Sequence, residues 1–157
     1  VPMAKVFRAD PEFCDGCRIC EMACSLIKTK QVNPYLGRIR VLRDRDTGSR
    51  PLFCRHCTRP LCQEACPVPQ AMTRDSVTGA VAIQQQHCIG CLACAEACPF
   101  DAIWVGPDRE MLKCDLCDGD PVCVRYCPSK PIPDPDTSTN AYLSCLQYVE
   151  PRRVNRG

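Results

Sequence analysis

Sixteen of the chain's 17 cysteines fall into four runs of four with nearly constant spacing. The first run, Cys14, Cys17, Cys20 and Cys24, reads C-x2-C-x2-C-x3-C in the segment CDGCRICEMAC. The third, Cys88, Cys91, Cys94 and Cys98, repeats that spacing and is followed by Pro99. The second, Cys54, Cys57, Cys62 and Cys66, has two extra residues before its third cysteine, and the fourth, Cys114, Cys117, Cys123 and Cys127, has three. Three thiolates from one tight loop can cap three irons of an iron–sulfur cubane, provided the backbone curls around it, and short spacers enforce that curl. The fourth cysteine, three residues on and often followed by proline, points away and ligates the other cluster of a pair. The units therefore work in twos. Gly16, Gly90 and Ala93 inside the loops suit close backbone approach and N–H donation to cluster sulfur.

Other cysteine chemistry fits less well. Zinc sites with four cysteine ligands usually separate two C-x2-C pairs by a dozen or more residues, whereas here each set of four is compressed into one short loop. A secreted disulfide framework would be accompanied by an export signal, and residues 1–10 show no charged stretch followed by an apolar one. The C-x3-C-x2-C order that leaves one iron free for radical chemistry does not occur. Every cubane can be fully ligated, which favours electron transfer over substrate chemistry, and no residue is assigned as acid, base or nucleophile.

The rest of the composition explains why the chain needs such staples. Setting cysteine aside leaves about 34% conventional apolar residues in 157, against a typical share near 45–50%. Nine aromatics, 15 prolines and 8 glycines add little core. Burial of so few apolar side chains cannot by itself offset the conformational entropy of folding. The formal net charge of +2 carries no basic excess of the kind nucleic-acid binding requires. The longest uncharged stretch, residues 76–95, contains Gln84, Gln85, Gln86 and His87 and does not read as a membrane span.

The positioning elements are short. Residues 25–53 read as a loop with Pro34 and Gly37, then a hairpin in RIRVLRDRDTGSR that turns at Thr47 and Gly48. A second hairpin is signalled by DSVTGAVAIQ, with its turn at Thr78 and Gly79. Helical turns are predicted near the third cysteine of each unit, over residues 93–97 and 122–126. Residues 128–136 carry four prolines and read as an extended arm, and AYLSCLQYV reads as an amphipathic C-terminal helix that buries the leftover Cys145 as a small apolar residue. Trp104 is expected to cover a cluster. His56 and His87 could donate to cluster sulfur, but as loop-filling residues neither is required as a ligand. The Arg-rich segment, residues 38–50, reads as a solvated hairpin before a docking surface.

The segments FCRHCTRPLCQEACP, HCIGCLACAEACPFDAI and KCDLCDGDPVCVRYCP resemble the four-cluster ferredoxin-type electron-transfer subunits of molybdenum and tungsten oxidoreductases. The resemblance spans about residues 13–128. The chain departs from it in having only five residues between Cys117 and Cys123, and CPSKPIP where relatives carry an apolar run. The resemblance implies that unit one pairs with unit four and unit two with unit three. Four [4Fe-4S] clusters would then be held by Cys14, Cys17, Cys20 and Cys127; by Cys24, Cys114, Cys117 and Cys123; by Cys54, Cys57, Cys62 and Cys98; and by Cys66, Cys88, Cys91 and Cys94. The implied architecture is α+β, two ferredoxin-like modules with the inner one inserted in the outer one: residues 1–53 and 107–130 outer, 54–106 inner, 131–157 an arm and helix for docking. The implied partners are a catalytic subunit with a tungsten or molybdenum pterin centre, an aldehyde oxidoreductase being preferred, and a flavin or ferredoxin-type acceptor. The chain is expected in a cytoplasmic hetero-oligomer, with self-association an option. A zinc-stapled interaction module and a free-standing polyferredoxin carrier are the alternatives. Four fully ligated oxidised cubanes, at about −2 each, would take the formal +2 to about −6.

Overall fold

The computed structural model describes residues 5–133 and 140–150. Its strands pair only as antiparallel two-stranded ribbons, five of them, joined by helices of one to three turns. The first strand, β1 (Val6–Ala9), pairs with the last, β10 (Leu146–Val149), so that Val6 faces Val149 and the two ends of the described chain close on each other. Asp10 N–H donates to the Cys145 carbonyl at 2.8 Å and extends that closure by one residue.

The first helix, α1 (Ile19–Thr29), buries Cys20, Glu21, Cys24 and Ser25 on one stripe, as residues four apart must fall. Its length corrects the loop reading of residues 25–53. Ser25, fully buried, donates to the Met22 carbonyl and accepts from Asn33 N–H, so polar side chains continue the helix beyond the cysteines before Lys30 ends it in a left-handed conformation.

Both predicted hairpins form. β2 (Ile39–Asp44) pairs with β3 (Gly48–Phe53), and β4 (Met72–Arg74) with β5 (Val81–Ile83). Their turns are built alike. Asp44 Oδ1 accepts from the N–H groups of Asp46 and Thr47 before Gly48 at φ +80°, and Asp75 Oδ1 accepts from Val77 and Thr78 before Gly79 at φ +73°. An aspartate that bonds the backbone two and three residues on, then a glycine free to take positive φ, sets each reversal.

α2 (Leu61–Glu64), α3 (Ala93–Glu96) and α4 (Val122–Tyr126) carry Cys62, Cys94 and Cys123, with a further ribbon of β6 (Trp104–Val105) and β7 (Met111–Leu112) between α3 and α4. The helices pack in pairs, α1 against α4 and α2 against α3. Two apolar cores result. One gathers Phe7, Ile39, Val41, Leu116 and Leu146 with the buried Cys20, Cys24, Cys123 and Cys145. The other gathers Met72, Val81, Ile103 and Met111 with Cys94, flanked by Cys62, Cys66, Cys88 and Cys98.

The C-terminal helix is not present. β8 (Ser129–Pro133) pairs with β9 (Asn140–Ser144), and AYLSCLQYV runs through β9 and β10. Residues that looked amphipathic at helical spacing instead close on β1, and Leu146 is buried to 2% exposure. The Pro-rich segment is extended, as predicted, but its first part is paired, and residues 134–139 and 151–157 lie outside the described residues. Cys145 is buried as predicted, on a strand junction instead of a helix.

Trp104 is buried and tied to the segment before β2. Its Nε1 donates to the Gly37 carbonyl at 3.1 Å, and the Arg40 guanidinium lies 4.2 Å from its ring centroid. Trp104→Phe removes this buried donor and leaves a carbonyl unpaired, an expected loss of about 1–3 kcal/mol. A lowered thermal midpoint of the anaerobic protein, with its visible spectrum unchanged before the transition, checks the prediction.

Candidate metal centre

The second residue after the first cysteine of every unit has a left-handed backbone: Gly16 at φ +69°, His56 at +46°, Gly90 at +65° and Leu116 at +60°. Units one, three and four add a second left-handed residue four after that cysteine, namely Arg18, Leu92 and Asp118. Left-handed residues inside a short loop turn successive N–H groups toward one concave side, an arrangement that receives anionic sulfur. Two such bonds form, and a third reaches Cys24 from outside the loops. His56 N–H donates to Cys54 Sγ at 3.3 Å, Leu116 N–H to Cys114 Sγ at 3.5 Å, and Arg38 N–H to Cys24 Sγ at 3.2 Å.

These loops and the paired helices bring cysteines of different units together. One cavity is lined by Cys14, Cys17, Cys20 and, from the other end of the sequence, Cys127, with Cys145 beside them. A second is lined by Cys54, Cys57, Cys62 and Cys98, and a third by Cys66, Cys88, Cys91 and Cys94. Each combines three cysteines of one unit with the last cysteine of another. Cys24, Cys114, Cys117 and Cys123 also lie within electrostatic reach of one another. Among the described residues no three His, Cys, Asp or Glu side chains converge on a point that would hold a single metal ion.

Burial raises the thiols that face inward: Cys20 to about 12 and Cys94 to about 11, with Cys114 and Cys123 higher still. Such thiols stay protonated at neutral pH on their own, so thiolates at these positions need cationic partners of the kind iron supplies. One cation is already in place. Lys113, 3% exposed, lines the cavity of Cys54, Cys57, Cys62 and Cys98 and donates through Nζ to the Val81 carbonyl. Lys28 and Asp115 form an ion pair at 2.6 Å that ties α1 to unit four.

His56 lines the same cavity as Lys113. Its Nδ1 accepts from Val81 N–H at 3.0 Å, which places the ring proton on Nε2. That atom is buried and has no partner among the protein groups. Burial and the Lys113 charge hold the imidazole well below its usual range, at about 3, so it is neutral. A neutral N–H donor in a wall of four cysteines fits a cofactor with anionic, hydrogen-bond-accepting sulfur. His56 is thus more than a loop-filling residue, because its bond to β5 fixes which ring nitrogen can donate toward cluster sulfur. His87 lies in the turn before Cys88 and makes no bond to a cysteine among the hydrogen bonds of the described residues. Trp104 lines none of the three cysteine cavities.

The 4Fe-4S dicluster domain family matches residues 46–133, more than half of the chain, covering units two, three and four. The chain belongs to that family. Its relatives include the aliphatic sulfonate oxidoreductase polyferredoxin-like subunit of Pyrococcus furiosus, 38% identical over 74% of this chain and 68% of that one. Formate hydrogenlyase subunit 2 of Escherichia coli is 33% identical over 87% of this chain and 84% of its own length. The NADH-dependent phenylglyoxylate dehydrogenase subunit beta of Aromatoleum evansii is 32% identical over 76% of this chain but only 27% of its own. The chain is thus a ferredoxin-type, polyferredoxin-like [4Fe-4S] electron-transport protein. Among the described residues no helix is long and apolar enough to cross a membrane.

The two loop glycines are not equivalent. A Cβ on Gly90 would meet nothing closer than the Arg109 carbonyl at 3.6 Å, whereas one on Gly16 would lie 2.4 Å from Ser49 Oγ and 3.1 Å from the Arg43 side chain. Gly90→Ala is expected to cost only the left-handed conformation, about 1–2 kcal/mol. Gly16→Val, which adds an isopropyl group against Ser49 of β3, is expected to cost more and to release iron from the chain first. Iron retained per chain after mild heating of each variant compares them.

Proposed function

We propose that the chain is the electron-relay subunit of an oxidoreductase complex and holds four [4Fe-4S] clusters in two crossed pairs. The observation that carries this reading is the lining of the three cysteine cavities, each by three cysteines of one unit and the last cysteine of a partner unit. The ligand sets are then Cys14, Cys17, Cys20 and Cys127; Cys54, Cys57, Cys62 and Cys98; and Cys66, Cys88, Cys91 and Cys94. Cys24, Cys114, Cys117 and Cys123 complete the fourth. The two apolar cores support an inner ferredoxin-like module of units two and three inserted between the halves of an outer one.

When bound, each cubane accepts or gives up one electron. The chain's own residues set the conditions for that. Cysteine thiolates hold the iron, the left-handed loops present N–H groups to sulfur, and the buried Lys113 charge and the His56 Nε2–H lie beside the cavity of Cys54 and Cys98. Positive charge and hydrogen bonds near cluster sulfur favour the reduced, more negative state. The names of the relatives support a place in a hetero-oligomer with a catalytic subunit. A tungsten or molybdenum pterin subunit, with aldehyde oxidation the preferred chemistry, and a flavin or ferredoxin-type acceptor in the cytoplasm complete the proposal. The β8–β9 hairpin takes over the docking role first given to a helix.

Crossed ligation is checked by EPR-monitored redox titration of single variants. Cys57→Ser marks the signal of the unit-two centre and Cys91→Ser that of the unit-three centre. Cys98→Ala is expected to alter the signal marked by Cys57→Ser, and each signal to titrate as a one-electron step. If Cys98→Ala instead alters the signal marked by Cys91→Ser, the pairing is wrong; if no low-potential signal appears in the wild type, the electron-relay reading fails.

A further inference from the structure

Five cationic side chains line two adjoining surface grooves on the side of the molecule where the Cys54 cavity approaches solvent. The larger groove, about 640 Å³, runs between β1, β3 and the segment after Cys98, with Arg8, Arg50 and Arg55 along it. The second, about 560 Å³, holds Lys5, Arg55 and Arg74. Asp101 is the one carboxylate among the residues that line either groove. None of the five cations takes part in the four ion pairs of the described residues. Arg8 is held by the neutral Gln147 side chain, Arg55 stacks 4.3 Å over the Phe100 ring, and Arg74 donates to the carbonyls of Cys57 and Gly79. Arg8, Arg55 and Arg74 are thus held in position by neutral partners, while Arg50 feels the Asp44 carboxylate across the β2–β3 hairpin, so the grooves carry a local excess of positive charge.

The floor of the larger groove is apolar. Phe7 and Phe53 stack with centroids 4.1 Å apart, and Pro51, Pro99 and Phe100 continue the surface. An apolar floor with an arginine-rich edge has the anatomy of a protein-binding patch. Position adds the decisive observation. Arg55, Pro99 and Phe100 line both the groove and the cavity of Cys54, Cys57, Cys62 and Cys98, and His56 and Cys57 line both that cavity and the second groove. A partner seated here is separated from the cysteine cavity by one layer of side chains.

We infer that these joined grooves are the docking site for an acidic electron-carrier protein. The inference rests on the electron-relay reading above and adds to it the surface and the partner's charge. A chain whose cofactor-loaded charge is negative has no general attraction for an acidic carrier. A local cluster of five cations steers one to this face, and the steering weakens with salt. Nucleic acid is the competing polyanion, but the formal net charge of +2 counts against it.

The test measures affinity, not electron flow. Anaerobically purified holo-protein is titrated with an acidic two-cluster ferredoxin, with a basic c-type cytochrome, and with a single-stranded DNA oligonucleotide, each at low and high salt. The ferredoxin is expected to bind and to weaken as salt rises. Arg8→Glu/Arg50→Glu is expected to lower its affinity about tenfold or more, with Arg8→Gln/Arg50→Gln intermediate. Lys30→Glu/Arg109→Glu, at two positions that line neither groove, should leave affinity unchanged. Iron content and visible spectrum of each variant report folding separately. Equal affinity of wild type and the Arg8/Arg50 reversal, stronger binding of the basic cytochrome, or preferential binding of DNA lost in the same variant would each overturn the inference. Low iron in the wild type itself would instead count against the electron-relay reading, and the ferredoxin affinity can still be scored on that sample.

Discussion

Everything in this chain depends on a left-handed residue placed two positions after the first cysteine of each unit. That residue bends the loop so that cysteines three apart face the same side, with backbone N–H groups among them. A non-glycine residue in this conformation costs about 1–2 kcal/mol, and His56 and Leu116 both accept that cost. They can because each is held from outside the loop. His56 is fastened to β5 through Nδ1, and Leu116 is buried to 2% exposure in the core of α1 and α4. The apolar cores are small, and much of their work is to hold loops that the cysteines require.

How much of this was legible varied with the kind of signal. The cysteine runs, both D-x-x-T-G turns and the short helices at Cys94 and Cys123 follow from residues close together in sequence. The ribbon of β1 and β10 was not legible, because Val6 and Val149 meet only in the folded chain and neither segment carries a period that names its partner. AYLSCLQYV misled for a related reason: its apolar residues fit a helical stripe and a strand equally, and pairing with β1 decided between them. Gly16 and Gly90 announced two of the four left-handed positions, while His56 and Leu116 announced nothing, since a histidine or leucine at positive φ is imposed by its surroundings. The bond from Trp104 to the Gly37 carbonyl was not legible either, because the two residues lie 67 positions apart.

Charge is distributed with similar economy. Two lysines face inward: Lys113 beside Cys54 and Cys62, and Lys28 paired with Asp115 next to Cys117. A buried ammonium is costly unless something nearby is negative. Asp115 supplies that charge for Lys28, and thiolate ligation would supply it for Lys113 beside the cavity of Cys54 and Cys62. Arg8, Arg55 and Arg74 of the outer grooves are held instead by neutral amide, aromatic and carbonyl partners.

The central claim is that sixteen cysteines hold iron and sulfide and not single ions. Anaerobic iron, acid-labile sulfide and zinc analysis of the purified protein tests it most directly. Four cubanes predict about 16 iron and 16 sulfide per chain with negligible zinc, whereas about four zinc with no sulfide would contradict the account and leave a zinc-stapled interaction module in its place.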